Sequence, residues 1–366
     1  MRGGEKCLEP ACRRWPNAPL FTLLHKLGSV SAEIEALRPR ASSLNRLPGV
    51  SRYYRYLLPL MPTAARWTIP NCDVVLSFSH CVAKAAVPPA GVPHVSYCFT
   101  PMRYAWHMRE SYFNHGQLGK LKSAAADVVL RRLREWDCRT ADRVTHFVAI
   151  SKAIQTRIAE CYSRESVVIY PPVETDFYTP AEVEREDYYL VVSALAPYKR
   201  FDLAIEACEK LGRKLVVIGS GQDAKKLRAK AGPNVEFLGW LSDEVIRDHF
   251  RRCRAVLYPG EEDFGIVPLE AQGCGAPVIA FGRGGALETV RALGQVEEPT
   301  GVLFEVQSVE ALVDAMERFE KNASAFDPQA ARQNALPFAR ERYEAELFGY
   351  VEAVVRGEKQ TPRRAA

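Results

Sequence analysis

Short runs of β-forming apolar residues alternate with helical segments along almost the whole chain, and this alternation restricts the fold more than any other feature. In the first half, Val74-Val75-Leu76-Ser77, Val92 to Tyr97 and His146 to Ile150 read as strands, with a long helix from Lys122 to Arg139. In the second half, 189–193, 214–218, 234–238, 255–258 and 277–280 read as strands with helices between them. Strands joined through helices need crossover connections, and these produce parallel sheets covered by helices. Ser151 follows one strand and opens a helical pattern, as an N-cap does when its hydroxyl takes a free backbone N–H. At 366 residues the chain suits two α/β domains of ordinary size.

Composition removes several classes of function. No run of about 18 uncharged apolar residues is present, so no membrane-spanning helix is expected. The start, Met1-Arg2-Gly3-Gly4-Glu5-Lys6, has no apolar signal core, which points to the cytoplasm. The ten cysteines include no C-x-x-C pair and read as reduced, mostly buried thiols. His80, His94 and His107 lack metal-ligand spacing, and no metal is expected. Residues 1–180 carry 24 Lys and Arg against 14 Asp and Glu, whereas the remainder carries 25 against 30. The basic half suits peripheral contact with an anionic membrane face or a phosphorylated acceptor, or ordinary solubility. Arg52-Tyr53-Tyr54-Arg55-Tyr56-Leu57-Leu58-Pro59-Leu60 fits either a membrane interface or, better, a half-buried helix with snorkelling arginines. No nucleic-acid module accompanies the charge, so no nucleic-acid partner is expected.

The most chemically loaded stretch is Glu261-Glu262-Asp263-Phe264-Gly265-Ile266-Val267-Pro268-Leu269-Glu270. An apolar run, Ala255 to Tyr258, leads into it and is broken by Pro259-Gly260, so it reads as a buried strand ending at a loop. Ala271 to Pro277 reads as a helix stopped by Gly and Pro. Glu262 then lies on the strand-to-helix loop and Glu270 inside the helix. The free N–H groups of a helix N-terminus suit anionic oxygens, and carboxylates suit hydroxyls. Together they suit a ligand carrying both hydroxyls and phosphate.

Glu262 and Glu270 resemble the E-x7-E signature of retaining family 4 (group 1) glycosyltransferases, which have the GT-B fold. Pro277-Val278-Ile279-Ala280 with Gly284-Gly285-Ala286-Leu287-Glu288 resembles a further segment of that family. Leu190-Val191-Val192-Ser193 followed by Pro197-Tyr198-Lys199-Arg200-Phe201-Asp202 resembles its strand–loop–helix with a phosphate-binding lysine. Val216 to Gly221 and Val235 to Gly239 fall between them in the family's order. The resemblance implies two Rossmann-like doubly wound parallel-sheet domains facing across a cleft. Residues 1–172 would form the acceptor-side domain and 173–335 the nucleotide-sugar domain. Residues 336–366 would be a helix returning toward the first domain, with a frayed tail from 357. Relatives place a β-strand before the segment matching Gly3-Gly4-Glu5, so the first strand of the first domain is expected to be missing here.

The resemblance also implies roles. Lys199 and Arg200 would hold the diphosphate and stabilise its charge as it leaves, in place of a metal. Glu262 would lie near the transferred sugar, and Glu270 would accept hydrogen bonds from the ribose. Phe264, Gly265, Ile266 and Val267, with Gly219 and Gly239, would complete the donor side. Gly3, Gly4, Arg103 and Tyr104 would lie on the acceptor side. Two departures stand out: Ala194 stands where many relatives have Arg, and Phe99 where some have a histidine. The activity implied is transfer of a hexose from a nucleoside diphosphate sugar to a glycan or lipid-linked acceptor, with a lean toward GDP-mannose and no other cofactor. A nucleotide-sugar epimerase, and a non-catalytic or truncated sugar-nucleotide-binding protein, are the alternatives. Phe99 argues against the first, and the expected missing strand favours the second.

Overall fold

The computed structural model describes residues 3–106 and 120–358. These fall into two compact units, Met1–Tyr170 with Glu344–Ala366, and Pro171–Tyr343.

The second unit is built on a six-stranded parallel sheet. Its order across the sheet is Gly301–Phe304, Val278–Phe281, Ala255–Tyr258, Tyr188–Val192, Lys214–Ile218 and Val235–Gly239. The central strands are runs of β-branched and other apolar residues because helices cover both faces. Successive side chains leave a strand on opposite sides, so each strand feeds two cores. Tyr189, Val191, Leu215, Val217, Leu257 and Ile279 join one, with residues of the helices Phe201–Leu211 and Val309–Lys321. Leu190, Val216, Val256 and Val278 join the other, with Phe250 and Ala271. All of these side chains are 2% exposed or less. At about 1.5–3 kcal/mol for each fully buried large apolar side chain, the two cores hold the sheet edges in fixed register.

The first unit contains a four-stranded parallel sheet in the order Val75–Ser79, His94–Cys98, His146–Ala149 and Ser166–Val168. A separate two-stranded parallel sheet pairs Phe21–Thr22 with Arg40–Ala41. The interior of this unit is more polar. His94 Nε2 lies 2.8 Å from Ser77 Oγ, and Ser77 donates to Ser96 at 3.1 Å. Lys84 is fully enclosed and donates to the Asp137 carboxylate, to the Asp137 carbonyl and to Thr140 Oγ1. The other Asp137 oxygen accepts from Trp106 Nε1 at 2.9 Å and from the Tyr162 hydroxyl at 2.7 Å. A buried charge pair survives only when its remaining hydrogen-bonding groups are satisfied, as they are here.

Several elements differ from the sequence reading. The strands Phe21–Thr22, Arg40–Ala41, Ser166–Val168 and Gly301–Phe304 lie outside the runs identified from sequence. Gly3–Arg14 is a helix despite two glycines at its start and Pro10 inside it. The C-terminal helical stretch, expected as one helix from residue 336, begins earlier and is interrupted. It forms Pro328–Ala335, a short 3₁₀ turn at Leu336–Phe338, and Arg340–Val355. Pro337 supplies no N–H and crowds the preceding turn, which explains the break. Ser151 caps the helix Lys152–Tyr162, its hydroxyl accepting from the Ile154 N–H at 3.1 Å. Among the described residues, no helix is long and apolar enough to cross a membrane. His107 lies outside the described residues.

Candidate functional site

The carboxyl ends of all six strands of the second unit open on one edge of its sheet, where parallel sheets bind ligands. Two loops on that edge bring the principal charged residues together. The first leaves strand Tyr188–Val192 and tightens into a 3₁₀ turn at Pro197–Lys199. Arg200 then adopts a left-handed conformation, φ 52° and ψ 38°, which turns the chain into helix Phe201–Leu211. Lys199 is left on the inner side of this turn. Its Nζ lies 2.6 Å from Glu262 Oε1, with only 11% and 12% of the two side chains exposed. The same ammonium is 5.4 Å from the Tyr198 ring centre and 5.9 Å from that of Tyr258. Ring faces at that range attract a cation.

The second loop leaves strand Ala255–Tyr258 and carries Glu262. Its opening residue Gly260 packs on the Lys199 backbone, where a Cβ would meet the Lys199 Cα at 2.9 Å. Gly265 closes the loop in a left-handed conformation, φ 96°, and starts helix Ile266–Gly273 with no side-chain cap. The leading N–H groups of that helix are therefore left for solvent or ligand. Pro268 falls in the first turn, where its missing N–H costs nothing. Phe264 is buried, its ring 5.7 Å from that of Phe338, and Val267 packs against the core. Glu270 is 7% exposed in the second turn of the helix. It lies close to Tyr178, whose hydroxyl is held well above the ordinary tyrosine range by burial first and by the Glu270 charge second.

A third loop, after strand Val278–Phe281, fixes the position of Glu262. The Gly285 N–H donates to the Glu262 carbonyl at 2.8 Å, and Gly284 forms a parallel bridge with Glu262. The backbones touch so closely that a Cβ on Gly285 would lie 2.0 Å from the Phe264 carbonyl oxygen. The glycine pair thus lets this backbone approach the glutamate loop closely.

The assembled edge presents a half-enclosed cation, a carboxylate paired to it, an uncapped helix N-terminus and a second carboxylate within that helix. Apart from the Lys199 ammonium, Glu262 Oε1 has no hydrogen-bond partner among the described residues, so it keeps a lone pair unsatisfied. This set can hold an anionic, hydroxyl-rich molecule.

Residues 173–336 match a family model described as glycosyl transferases group 1. This span covers nearly all of the second unit. Residues 173–336 are a group 1 glycosyltransferase domain. Over 222 residues the chain is 28% identical to a D-inositol 3-phosphate glycosyltransferase of Mycobacteroides abscessus, covering 55% of this chain and 47% of that one. It is also 28% identical over 234 residues to a GDP-mannose-dependent alpha-(1-6)-phosphatidylinositol monomannoside mannosyltransferase of Mycobacterium tuberculosis, covering 55% and 58%. The chain thus spans about half the length of the curated relatives it matches. Among solved structures it resembles the Anabaena protein HepE in complex with UDP and glucose, with a TM-score of 0.68. The identity there is 17%, over 96% of each chain, so the likeness is one of fold. That fold is the GT-B fold expected from the sequence, α/β with parallel sheets.

Other residues singled out from sequence are placed less simply around the group 1 domain. The Arg200 guanidinium turns to the Asp202 carboxylate and to Gln307 Oε1 at 3.1 Å. Gln307 in turn donates to the Pro259 carbonyl at 2.8 Å. Arg200 and Gln307 therefore tie the lysine loop to the glutamate loop. Gly219 donates to the Gly239 carbonyl at 2.7 Å, and its missing Cβ makes room for the Ser193 carbonyl. Gly239 is left-handed, φ 74°, and open above its Cα. In the first unit, Gly3 and Gly4 occupy the first turn of helix Gly3–Arg14, with Gly4 against the Phe99 ring. Phe99 packs edge-on to Tyr97 at 5.5 Å. Arg103 opens the short helix Arg103–Trp106, and the Tyr104 side chain lies outside what is described. Tyr198, Tyr258, Gly260 and Gln307 were not identified as site residues from sequence. Only Gly260, beside the strand end, carried a local signal.

Proposed function

We propose that this chain is a cytoplasmic, metal-independent, retaining glycosyltransferase. It transfers a hexose from a nucleoside diphosphate sugar, in our reading GDP-mannose, to a glycan or lipid-linked acceptor. The observation that carries this reading is the enclosed Lys199–Glu262 pair on the carboxyl edge of the group 1 domain. In this reading the lysine takes the diphosphate and the glutamate takes sugar hydroxyls. As the sugar–phosphate bond breaks, negative charge grows on the leaving diphosphate. Lys199 stabilises it in a site with little water, where a fixed charge is worth more than in solution. Glu262 gives up its contact with Lys199 and accepts from hydroxyls of the transferred hexose, and Glu270 accepts from the ribose. The leaving phosphate itself serves as the base for the incoming acceptor hydroxyl. The mannose assignment is supported by the GDP-mannose-dependent relative, and a HepE complex with UDP-glucose makes that donor the natural competitor.

Thermal melting of the intact chain tests the reading. GDP-mannose at about 100 times its Kd should stabilise the folded state by about 2.7 kcal/mol, a rise of several degrees. A larger rise with UDP-glucose overturns the mannose assignment. No rise with any nucleoside diphosphate sugar overturns the donor site altogether.

A further inference from the structure

Of the five tryptophans in the chain, Trp15, Trp67, Trp106 and Trp136 are partly buried, whereas Trp240 is 78% exposed. An indole is a large apolar body that folding ordinarily covers. The backbone around Trp240 holds it outside. Leu238 and Leu241 both pack against the core that contains Leu190, Val216 and Phe250. Between these two anchors, Gly239 takes the left-handed conformation, φ 74°. Its carbonyl accepts from Gly219, so this turn is also tied to the neighbouring loop. Trp240 is left projecting at the end of strand Val235–Gly239, on the same sheet edge as Lys199 and Glu262.

The spacing along that edge suits one kind of molecule. The lysine loop leaves strand Tyr188–Val192, and Trp240 follows the second strand over from it. Two strand spacings amount to about 9–10 Å. The strand between them runs into Gly219-Ser220-Gly221, where the two missing Cβ atoms let the Ser193 and Leu195 backbone pack closely. A ligand lying along this edge meets a cation at one end and a flat aromatic surface at the other. A nucleoside diphosphate has the matching order: diphosphate, ribose, aromatic base. We propose that Trp240 is the stacking platform for the nucleobase of the donor. This deepens the donor reading above and rests on it.

The test is calorimetric titration of the full chain, as wild type, Trp240→Ala and Trp240→Phe, with GDP, UDP and inorganic pyrophosphate. Trp240 supports no core, so the alanine variant should melt like the wild type. Loss of base stacking should raise its Kd for the nucleoside diphosphates about tenfold or more. Its affinity for pyrophosphate should be unchanged, and Trp240→Phe should stay within a few-fold of the wild type. In the wild type, nucleotides but not pyrophosphate should quench tryptophan fluorescence, and Trp240→Ala should lose that signal. If the wild type binds a nucleoside diphosphate and Trp240→Ala binds it equally well, or loses pyrophosphate in parallel, the stacking role is overturned while the donor site stands. If the wild type binds no nucleoside diphosphate, the donor reading fails and this inference fails with it.

Discussion

Adding one methyl group at Gly285 should damage the site while leaving the unit folded. Gly285 has φ −67° and ψ −16°, ordinary right-handed values that alanine adopts freely. Backbone preference alone would make alanine slightly stabilising there, by about 0.4–1 kcal/mol. The obstacle is steric. The new Cβ would lie 2.0 Å from the Phe264 carbonyl oxygen and 2.2 Å from the Phe264 Cα, where ordinary contact begins at 3.4 Å. The loop from Glu262 to Phe264 must therefore retreat by about 1.4 Å, the difference between 3.4 and 2.0 Å. Crowding of this kind costs about 1–3 kcal/mol, so a net loss of about 1–2 kcal/mol is expected. The retreat carries Glu262 away from Lys199, and a misplacement of about 1 Å costs on the order of 100-fold in turnover. Gly294→Ala is the control. Gly294 is left-handed, φ 84°, with nothing within 4 Å of a Cβ, so alanine there strains the backbone without moving the loop. Turnover and donor affinity, measured with the melting temperature of each variant, should separate the two. Gly285→Ala turning over within twofold of the wild type, or Gly294→Ala losing as much, would refute the clamp.

Three further outcomes follow from named contacts. Lys199→Ala should weaken donor binding by about 1.5–3 kcal/mol, the loss of one charge-assisted hydrogen bond, without unfolding; an unchanged donor Kd removes Lys199 from the site. Lys84→Met leaves Asp137 buried without its cation and should destabilise the first unit by about 3–5 kcal/mol, whereas unfolding of the second unit should be unaffected; denaturant titration with a probe in each unit checks this. Burial holds the His94 imidazole down to about 4, against an ordinary 6.5, so the unfolded chain takes up this proton first as the pH falls. The stability conferred by keeping it neutral is complete above about pH 6.5 and declines toward pH 4, by about 3 kcal/mol in total. His94→Asn should show a shallower fall of first-unit stability over that window, and an identical slope would count against the assignment.

The second unit was legible from sequence because most of its strands are apolar runs that end at Gly or Pro. All five of its identified strands lie within one residue of the observed bounds, and 214–218 and 255–258 match them. Gly301–Phe304 escaped notice because it is short and begins with glycine, which has no side chain to signal a buried strand. The first unit was less legible. Its two-residue strands carry too little pattern for periodicity to register, and its core is partly polar. The cluster of Lys84, Asp137, Thr140, Trp106 and Tyr162 joins residues far apart in sequence, so no local spacing reveals it.

The site shows a different boundary of legibility. Lys199 and Arg200 are adjacent cations after a strand, and sequence treats them alike. The structure separates them by one dihedral choice: Arg200 is left-handed, and this sends neighbouring side chains in different directions. Lys199 meets Glu262, while Arg200 meets Asp202 and Gln307. A non-glycine residue in that region costs about 1 kcal/mol or more and persists only when its surroundings hold it there. The carboxylate of Asp202 and the amide of Gln307 do so, and Gln307 passes the restraint on to Pro259 at the base of the glutamate loop. Arg200 is thus a brace between the two loops whose side chains form the ion pair. In this arrangement its guanidinium points to Asp202 and Gln307, whereas the Lys199 ammonium points to Glu262. Two adjacent cations after a strand can therefore hold different partners, which their order in the sequence does not reveal.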